Sequence, residues 1–220
     1  MKIALIGSTG FVGAAVLAEL LSRDHEVLAL SRKPVDASAD GVKVVTAQVD
    51  VLNESALTKA LTGQDAVVSA FNPGWSDPDL YQSFMRGSAA IVQAVSNSGV
   101  KRLLVVGGAG SLYVSPGVQL VDTPDFLDHV PPAVIPGAQA ARDALTQLRT
   151  NTALEWTFLS PAAFLTPGER SGQYRVGGEQ LLMDGDKPAG ISVQDLAVAI
   201  VDELERPQHV RARFTVASGA

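Results

Sequence analysis

The chain has 220 residues, of which 46% are hydrophobic and 18% are charged, and its formal net charge is −6 at pH 7. This composition can bury a core, which excludes disordered and fibrous classes. The absence of cysteine excludes disulfides, thiolate zinc sites and a cysteine nucleophile. An acidic chain without a basic block does not suit nucleic acid. No apolar run approaches the ~20 residues that span a bilayer and no signal-peptide core follows Met1, so we expect no membrane contact and a soluble, cytoplasmic protein.

Short apolar runs alternate with amphipathic stretches along the chain, which predicts βα units. Strands are expected at residues 2–6, 26–30, 42–49, 66–70, 101–106, 156–159 and 213–216. Helices are expected at residues 11–21, 55–61, 79–98, 138–149 and 193–205, with Asn53 and Ser192 as N-caps. The pattern predicts an α/β, doubly wound fold: one mostly parallel sheet with helices on both faces, in a single domain over residues 1–220. Two long irregular segments are expected at residues 107–137 and 161–190.

A glycine-rich turn joins the first predicted strand to the first helix, with the spacing G-x-x-G-x-x-G. Gly7 would allow a tight turn, Gly10 would let backbone N–H groups approach a pyrophosphate, and Gly13 would let helix and sheet pack closely. The helix N-terminus would face the phosphates with its partial positive charge. The turn therefore predicts a bound dinucleotide, with contacts from Gly7, Ser8, Thr9, Gly10, Phe11, Val12 and Gly13.

The end of the second predicted strand should distinguish between the two nicotinamide dinucleotides. A carboxylate at this position suits the ribose 2′-hydroxyl, whereas an arginine suits a 2′-phosphate. Here the chain has Ser31, Arg32 and Lys33 and no acidic residue, so we expect NADP(H) to be preferred and NAD(H) to be the alternative. Asp50 and Val51 follow the third strand, where the adenine ring is expected. Asp50 could accept from the adenine amine or cap the turn into the next helix, and the sequence leaves both open.

These residues resemble the atypical and extended short-chain dehydrogenase/reductases, and the resemblance covers most of the chain. The stretches GGAGSL at residues 107–112, LSPAAF at 159–164 and PGER at 167–170 resemble the NAD(P)H-flavin reductase subgroup, which is related to biliverdin reductase B and to NmrA-like sensor proteins. The resemblance implies a Rossmann fold and a nicotinamide cofactor. It also implies cofactor contacts at Ala70, Phe71, Asn72, Gly107, Gly108, Pro161, Ala162 and Ala163.

The sequence departs from that group in its acid–base residues. Many short-chain dehydrogenases use a tyrosine followed four residues later by a lysine, and none of Tyr81, Tyr113 and Tyr174 has a lysine at that spacing. The helix in which the pair is expected reads AQAAR over residues 138–142 and contains no phenol. Without the pair, no phenolate is available near neutral pH to move a proton, which argues against the oxidation of a sugar alcohol.

Hydride transfer to a planar acceptor such as a flavin, quinone or tetrapyrrole needs no strong enzymic acid, because the acceptor is itself electron-deficient. The protein must then hold nicotinamide against the acceptor and exclude water. We expect residues 107–137 and 161–190 to form the substrate side, with Ser111 as the catalytic hydroxyl that bonds a ring carbonyl. The competing interpretations are ordinary packing for the aromatic residues, a turn-forming hydroxyl for Ser111 and solvated loop charges for the arginines. Expected acceptor contacts are Phe71, Phe164, Arg170, Tyr174 and Arg175.

Two further residues and a second functional class remain open. Trp75, in a turn-rich loop, could be a lid over the cofactor or could pack on the loop's own prolines. His129 is the histidine placed to donate a proton, with surface exposure as the alternative. The leading hypothesis is an NAD(P)H-dependent oxidoreductase. The alternative is a non-catalytic, NmrA-like redox sensor that binds NAD(P) and acts through a protein partner.

Overall fold

The computed structural model describes residues 1–32 and 44–219. Within these residues the strands are β1 (Lys2–Ile6), β2 (Glu26–Ser31), β3 (Val44–Gln48), β4 (Ala66–Ser69), β5 (Arg102–Val106), β6 (Tyr113–Ser115), β7 (Val118–Gln119), β8 (Glu155–Pro161), β9 (Phe164–Thr166), β10 (Tyr174–Gly177), β11 (Met183–Asp184), β12 (Lys187–Pro188), β13 (Gly190–Ser192) and β14 (Ala212–Ser218). The α-helices are α1 (Phe11–Ser22), α2 (Glu54–Leu61), α3 (Leu80–Ser98), α4 (Pro124–His129), α5 (Ile135–Leu148) and α6 (Val193–Glu205).

Eight of these strands form the central sheet, in the order β3-β2-β1-β4-β5-β8-β14-β10. Neighbours from β3 to β14 pair in parallel, and β10 closes the edge antiparallel to β14. The chain moves outward from β1 in one direction to β3 and then returns to β4 on the other side. This topological switch point between β1 and β4 is where doubly wound sheets bind ligands, at the carboxyl ends of the strands.

The sheet separates two buried apolar layers. Val16 and Leu20 of α1 pack with the apolar face of α6 on one side. Leu57 of α2, Ile91 of α3 and Leu145 of α5 pack on the other. The structure thereby confirms the α/β, Rossmann-type fold with helices on both faces. In the part of the chain that the structure describes, no helix is long and apolar enough to cross a membrane.

The predicted helices and strands of the sheet are present, with small changes at their ends. The Asn53 and Ser192 side chains accept hydrogen bonds from the backbone N–H groups of Ala56 and Asp195, as N-caps do. Helix α5 begins at Ile135, three residues earlier than expected, because Pro136 is tolerated in a first helical turn. Residues 42 and 43 of the predicted third strand lie outside the described residues.

The two segments expected to be irregular have defined structure. Residues 107–137 contain two short 3₁₀ turns, the β6–β7 hairpin, α4 and the start of α5. Residues 161–190 contain β9 to β12 and the first residue of β13, and β9 pairs in parallel with β13. These strands have two to four residues, which is too short for an alternating pattern to be recognised.

A buried ion pair joins the sheet to α6 and to the turn that follows it. Arg102 Nη2 of β5 lies 3.0 Å from Glu203 Oε1 of α6, and both side chains are buried. The same carboxylate accepts from the backbone N–H groups of Gln208 and His209 at 3.1 and 3.0 Å. Glu203 therefore fixes the chain between α6 and β14 as well as neutralising Arg102.

We expect Glu203→Gln to lower the free energy of unfolding by about 3 kcal/mol, because it leaves the buried Arg102 cation without its counter-charge. Urea denaturation monitored by circular dichroism measures the change. The control is Asp125→Asn, which removes an ion pair to His129 whose two side chains are 85% and 76% exposed. Exposed pairs contribute little, so this control should unfold like the parent protein. Equal stability of all three proteins would contradict the role given to Glu203.

Candidate cofactor and acceptor site

The glycine-rich turn lies where β1 ends and α1 begins, next to the ends of β2 and β4. Gly7 has a φ of 81°, in the left-handed region, and its N–H donates to the carbonyl of Leu30 at 3.0 Å. A Cβ atom on Gly7 would lie 2.5 Å from the carbonyl oxygen of Ala70, and one on Gly13 would lie 2.0 Å from that of Gly7. Neither Gly7 nor Gly13 therefore has room for a side chain.

The first turn of α1 is open on the side of the glycine-rich turn. Gly10 occupies the N-cap position without a side-chain cap, and the first turn of the helix carries no acidic residue. The first N–H groups of a helix have no partner within the helix, and they stand at the positive end of its dipole. A Cβ atom on the exposed Gly10 would occupy space beside the carbonyl of Gly7, at 3.3 Å. This cradle fits the pyrophosphate of a dinucleotide.

The turn opens into a cavity of about 600 Å³ at the switch point of the sheet. It brings together nine of the residues predicted to bind cofactor: Gly7, Thr9, Gly10, Ser31, Arg32, Val51, Ala70, Phe71 and Asn72. Sequence reasoning missed four apolar lining residues: Ile6, Leu30, Val49 and Leu57. Ile6, Leu30 and Val49 lie at or near the carboxyl ends of β1, β2 and β3, a position that could have identified them, and Leu57 lies on the buried face of α2.

Arg32 is the charged residue among the described lining residues of this cavity. Its side chain is exposed, and Nη2 donates to the carbonyl of Pro73 at 2.9 Å. Gln48 Nε2 donates to the Arg32 carbonyl at 3.0 Å, which fixes the backbone at the end of β2. No described lining residue is acidic, so the cavity suits an anionic ligand. Lys33, which was predicted beside Arg32, lies outside the described residues.

Other residues of the predicted set shape the site or serve local structure. Ser8 is buried, and its Oγ donates to the carbonyl of Leu30 at 3.3 Å. Val12 packs against the core beneath α1. Phe11 is exposed and lines a separate groove beside Arg170. Asp50 Oδ1 accepts from the N–H of Leu52 at 3.0 Å, so the structure shows its turn-capping role rather than a contact in the cavity.

The remaining cofactor candidates extend along the same edge of the sheet. Gly107 follows β5, and its N–H donates to the carbonyl of Leu159 in β8 at 2.9 Å. Gly108 has open space where a Cβ atom would be. Because β1, β4, β5 and β8 are successive neighbours, residues 7–13, 70–72, 107–108 and 161–163 lie in a row at their carboxyl ends. Pro161 and Ala162 are buried there, and Ala163 is half-buried.

Ser111 is part of a buried polar network rather than of an open surface. Ser111 is 1% exposed, and its Oγ lies 3.4 Å from both Ser160 Oγ and Arg213 Nη1. The buried Arg213 guanidinium also pairs with Glu179. A buried cation needs such acceptors around it, which explains this use of the hydroxyl. The contact between Ser111 and an acceptor stays a prediction, and in this structure the side chain is enclosed by the fold.

Arg170 and Tyr174 are also used within the fold. Arg170 Nε and Nη2 bind the buried Glu19 carboxylate at 2.7 and 2.8 Å. Arg170, together with Arg23, holds the pKa of Glu19 below its usual range although burial opposes the shift. The Tyr174 hydroxyl donates to Asp202 Oδ2 at 2.6 Å, and burial followed by this hydrogen bond raises the pKa of Tyr174. Their acceptor contacts stay predictions, and in this structure both side chains are engaged in intramolecular hydrogen bonds.

The other residues predicted to contact an acceptor differ in their exposure and in their partners. Arg175 of β10 forms an exposed ion pair with Asp184 of β11. Phe164 in β9 is 59% exposed and remains available for contact. Phe71 lines the cofactor cavity, and its ring centroid lies 5.9 Å from that of Phe84. His129 is exposed and pairs with Asp125 at the end of α4.

The phenol that contacts the helix expected to carry an acid–base pair is Tyr81. Its hydroxyl donates to Asp143 Oδ2 of α5 at 2.7 Å. This hydrogen bond, with a smaller contribution from burial, raises the pKa of Tyr81. A raised pKa keeps the phenol protonated near neutral pH, so Tyr81 is not poised to act as a general base.

Residues 7–207 match the protein family described as NAD(P)H-binding. A structure from Streptococcus pneumoniae, provisionally named an NADH-flavin reductase, is 35% identical, covers 100% of both chains and has a TM-score of 0.85. A structure from Bacteroides thetaiotaomicron, provisionally named an epimerase, is 37% identical, covers 100% of this chain and 97% of its own, and has a TM-score of 0.90. A (4-alkanoyl-5-oxo-2,5-dihydrofuran-3-yl)methyl phosphate reductase of Streptomyces griseus is 27% identical over 97% of this chain and 67% of its own.

We expect Gly10→Val to weaken NADPH binding by about tenfold or more, because the side chain enters the cradle that the pyrophosphate would occupy. The backbone at Gly10 is extended, with a φ of −77°, so its dihedral angles suit valine, and the backbone must yield slightly where the new Cβ atom approaches the Gly7 carbonyl to 3.3 Å. Binding is measured by titration of NADPH fluorescence, and folding by the thermal midpoint. Gly178→Val is the matched control, because a Cβ atom at Gly178 meets nothing within 4 Å. Unchanged affinity in folded Gly10→Val would contradict the assignment of the cradle.

Proposed function

Because this chain belongs to the NAD(P)H-binding family, we propose that it is an NADPH-dependent reductase that acts on a planar acceptor such as a flavin. The observation that carries the proposal is the cavity at the glycine-rich turn, in which Arg32 is the charged group among the described lining residues. The names of the relatives from S. pneumoniae and S. griseus both designate reductases, which supports the reaction class. When bound, NADPH supplies a hydride, and the reduced acceptor takes its further proton from water.

The proposal gives each part of the sheet edge a role in holding the dinucleotide. The turn and the first N–H groups of α1 bind the pyrophosphate. Arg32, with Ser31, takes the 2′-phosphate through charge-assisted hydrogen bonds. Val49, Val51 and Leu57 supply an apolar surface for the adenine, since all three line the cavity. Ala70 and Phe71 flank the ribose, and residues 161–163 border the nicotinamide.

On this proposal the chain contributes position and exclusion of water rather than proton transfer. Tyr81 has a raised pKa and is bound to Asp143, and Tyr174 is bound to Asp202. Neither arrangement supplies a base for the oxidation of a sugar alcohol, which favours a reductase over the epimerase named for one relative. An electron-deficient acceptor held against the nicotinamide needs only proximity and orientation from the protein.

The organisation of the rest of the chain follows from this role. We assign residues 1–220 to one NAD(P)-binding domain, with residues 107–137 and 161–190 on the acceptor side. Phe164 is the exposed aromatic side chain of the second segment, and it is proposed to contact the acceptor. We also propose that the protein is cytoplasmic.

We expect Arg32→Ala to raise the Kd of NADPH about 10- to 100-fold, the range for loss of a hydrogen bond to a charged group, and to leave the Kd of NADH within about twofold. Isothermal titration calorimetry with both cofactors measures the two changes. Arg206→Ala is the control for the loss of one positive charge, because the exposed Arg206 follows α6 and does not line the cavity. Equal losses for NADPH and NADH would overturn the assignment of the 2′-phosphate.

We expect the purified protein to oxidise NADPH in the presence of FMN, with saturation in both compounds and a lower KM for NADPH than for NADH. NADPH deuterated at the transferred position should slow single-turnover reduction about two- to sevenfold, the usual range when breakage of that bond limits the rate. Stopped-flow absorbance at the flavin band gives the rate, with protein-free mixtures as the blank. Tight binding of NADPH without reduction of FMN or of a quinone would instead support the sensor hypothesis.

A further inference from the structure

We propose that Trp75 is the acceptor-stacking residue of this site, so that its indole forms the wall against which the planar acceptor lies. The inference rests on the proposed function, because it needs a planar acceptor beside the nicotinamide. Trp75 is 55% exposed, whereas the other tryptophan, Trp156, is 3% exposed and belongs to the core. An indole left this accessible next to a ligand cavity is available for contact with a ring.

The loop that carries Trp75 is fixed to the cofactor cavity. Phe71 and Asn72, which precede it, line that cavity. Asn72 Oδ1 accepts from the N–H of Gly74 at 2.7 Å, and the carbonyl of Pro73 accepts from Arg32 Nη2 at 2.9 Å. Arg32 therefore contacts the Trp75 loop as well as the cavity. Trp75 follows a turn that these two hydrogen bonds stabilise.

Trp75 reaches from this loop to the beginning of α5. A Cβ atom on Gly137 would lie 3.0 Å from Trp75 Cζ3, so the edge of the indole rests on the first turn of that helix. Gly137 directly precedes residues 138–142, the stretch in which short-chain dehydrogenases are expected to carry their acid–base tyrosine. The indole thus extends from the segment that follows Phe71 and Asn72 of the cofactor cavity to the beginning of α5.

This position suits a flat, electron-poor ring better than a polar substrate. The indole offers an apolar face with one N–H donor and no group that titrates near neutral pH. Stacking on it would hold an acceptor by area and orientation alone, which agrees with the engagement of the Tyr81 and Tyr174 hydroxyls by carboxylates elsewhere in the fold. The sequence left two roles open for Trp75, and its approach to Gly137 shows that the ring extends beyond its own loop to α5.

The test is the binding of FMN to the 220-residue protein saturated with NADP⁺, a state in which no turnover occurs. An indole in contact with a flavin ring quenches flavin emission, so FMN fluorescence should fall on binding to the parent protein. We expect Trp75→Leu to raise the Kd of FMN about tenfold and to restore most of the emission of bound FMN. Trp75→Phe should recover most of the affinity without recovering the quenching.

Trp156→Phe is the matched control, because it removes the buried tryptophan and should leave both the Kd and the emission of bound FMN unchanged. In steady-state reduction, Trp75→Leu should raise the KM for FMN while the Kd of NADPH stays within about twofold. If Trp75→Leu binds, quenches and reduces FMN as the parent does, the inference is overturned and the reductase proposal stands. If the parent binds and reduces neither FMN nor a quinone, both the reductase proposal and the stacking role fail.

Discussion

The close approach of the glycine-rich turn to its neighbours is the constraint on which the rest of the site depends. With Gly13 against the carbonyl of Gly7, and Gly7 against that of Ala70, α1 is held directly over the junction of β1 and β4. The uncapped start of α1 is thereby aimed at the switch point of the sheet. A side chain at Gly7 or Gly13 would push these segments apart and move the helix N-terminus away from the position at which it can meet a phosphate.

Buried charges attach the segment after β8 to this frame. The Glu19 carboxylate of α1 holds Arg170, and Asp195 at the start of α6 accepts from Ser171 Oγ at 2.7 Å and from the N–H of Gly172 at 2.8 Å. Buried carboxylates require such partners. The segment is therefore fixed to the α1–α6 side of the sheet. The Arg170 guanidinium contributes to this attachment through its hydrogen bonds to Glu19.

The sequence predicted the glycine-rich turn and the helix caps because their signals are local. The spacing of Gly7, Gly10 and Gly13 fixes a turn within seven residues, and Asn53 caps α2 through a residue three positions away. The partners of Arg170 and Tyr174 could not be predicted, since Glu19 is 151 residues from Arg170 and the bond from Tyr174 depends on how β10 lies beside α6. The short strand β10 was missed for a related reason: four residues at an antiparallel edge carry too little periodicity to be recognised.

The cofactor end and the proposed acceptor end of the site differ in their charged groups. The cofactor end has an exposed cation, Arg32, and no acidic lining among its described residues, so it selects an anionic ligand. At the acceptor end, Tyr81 is bound to Asp143 and Ser111 is enclosed, while two aromatic rings, Trp75 and Phe164, stay exposed. On the proposed function, recognition of the acceptor rests on buried area and ring orientation rather than on ionic contacts, whereas recognition of the dinucleotide rests on charge. The hydrogen bond from Arg32 to the Pro73 carbonyl connects the cofactor cavity to the loop that carries Trp75.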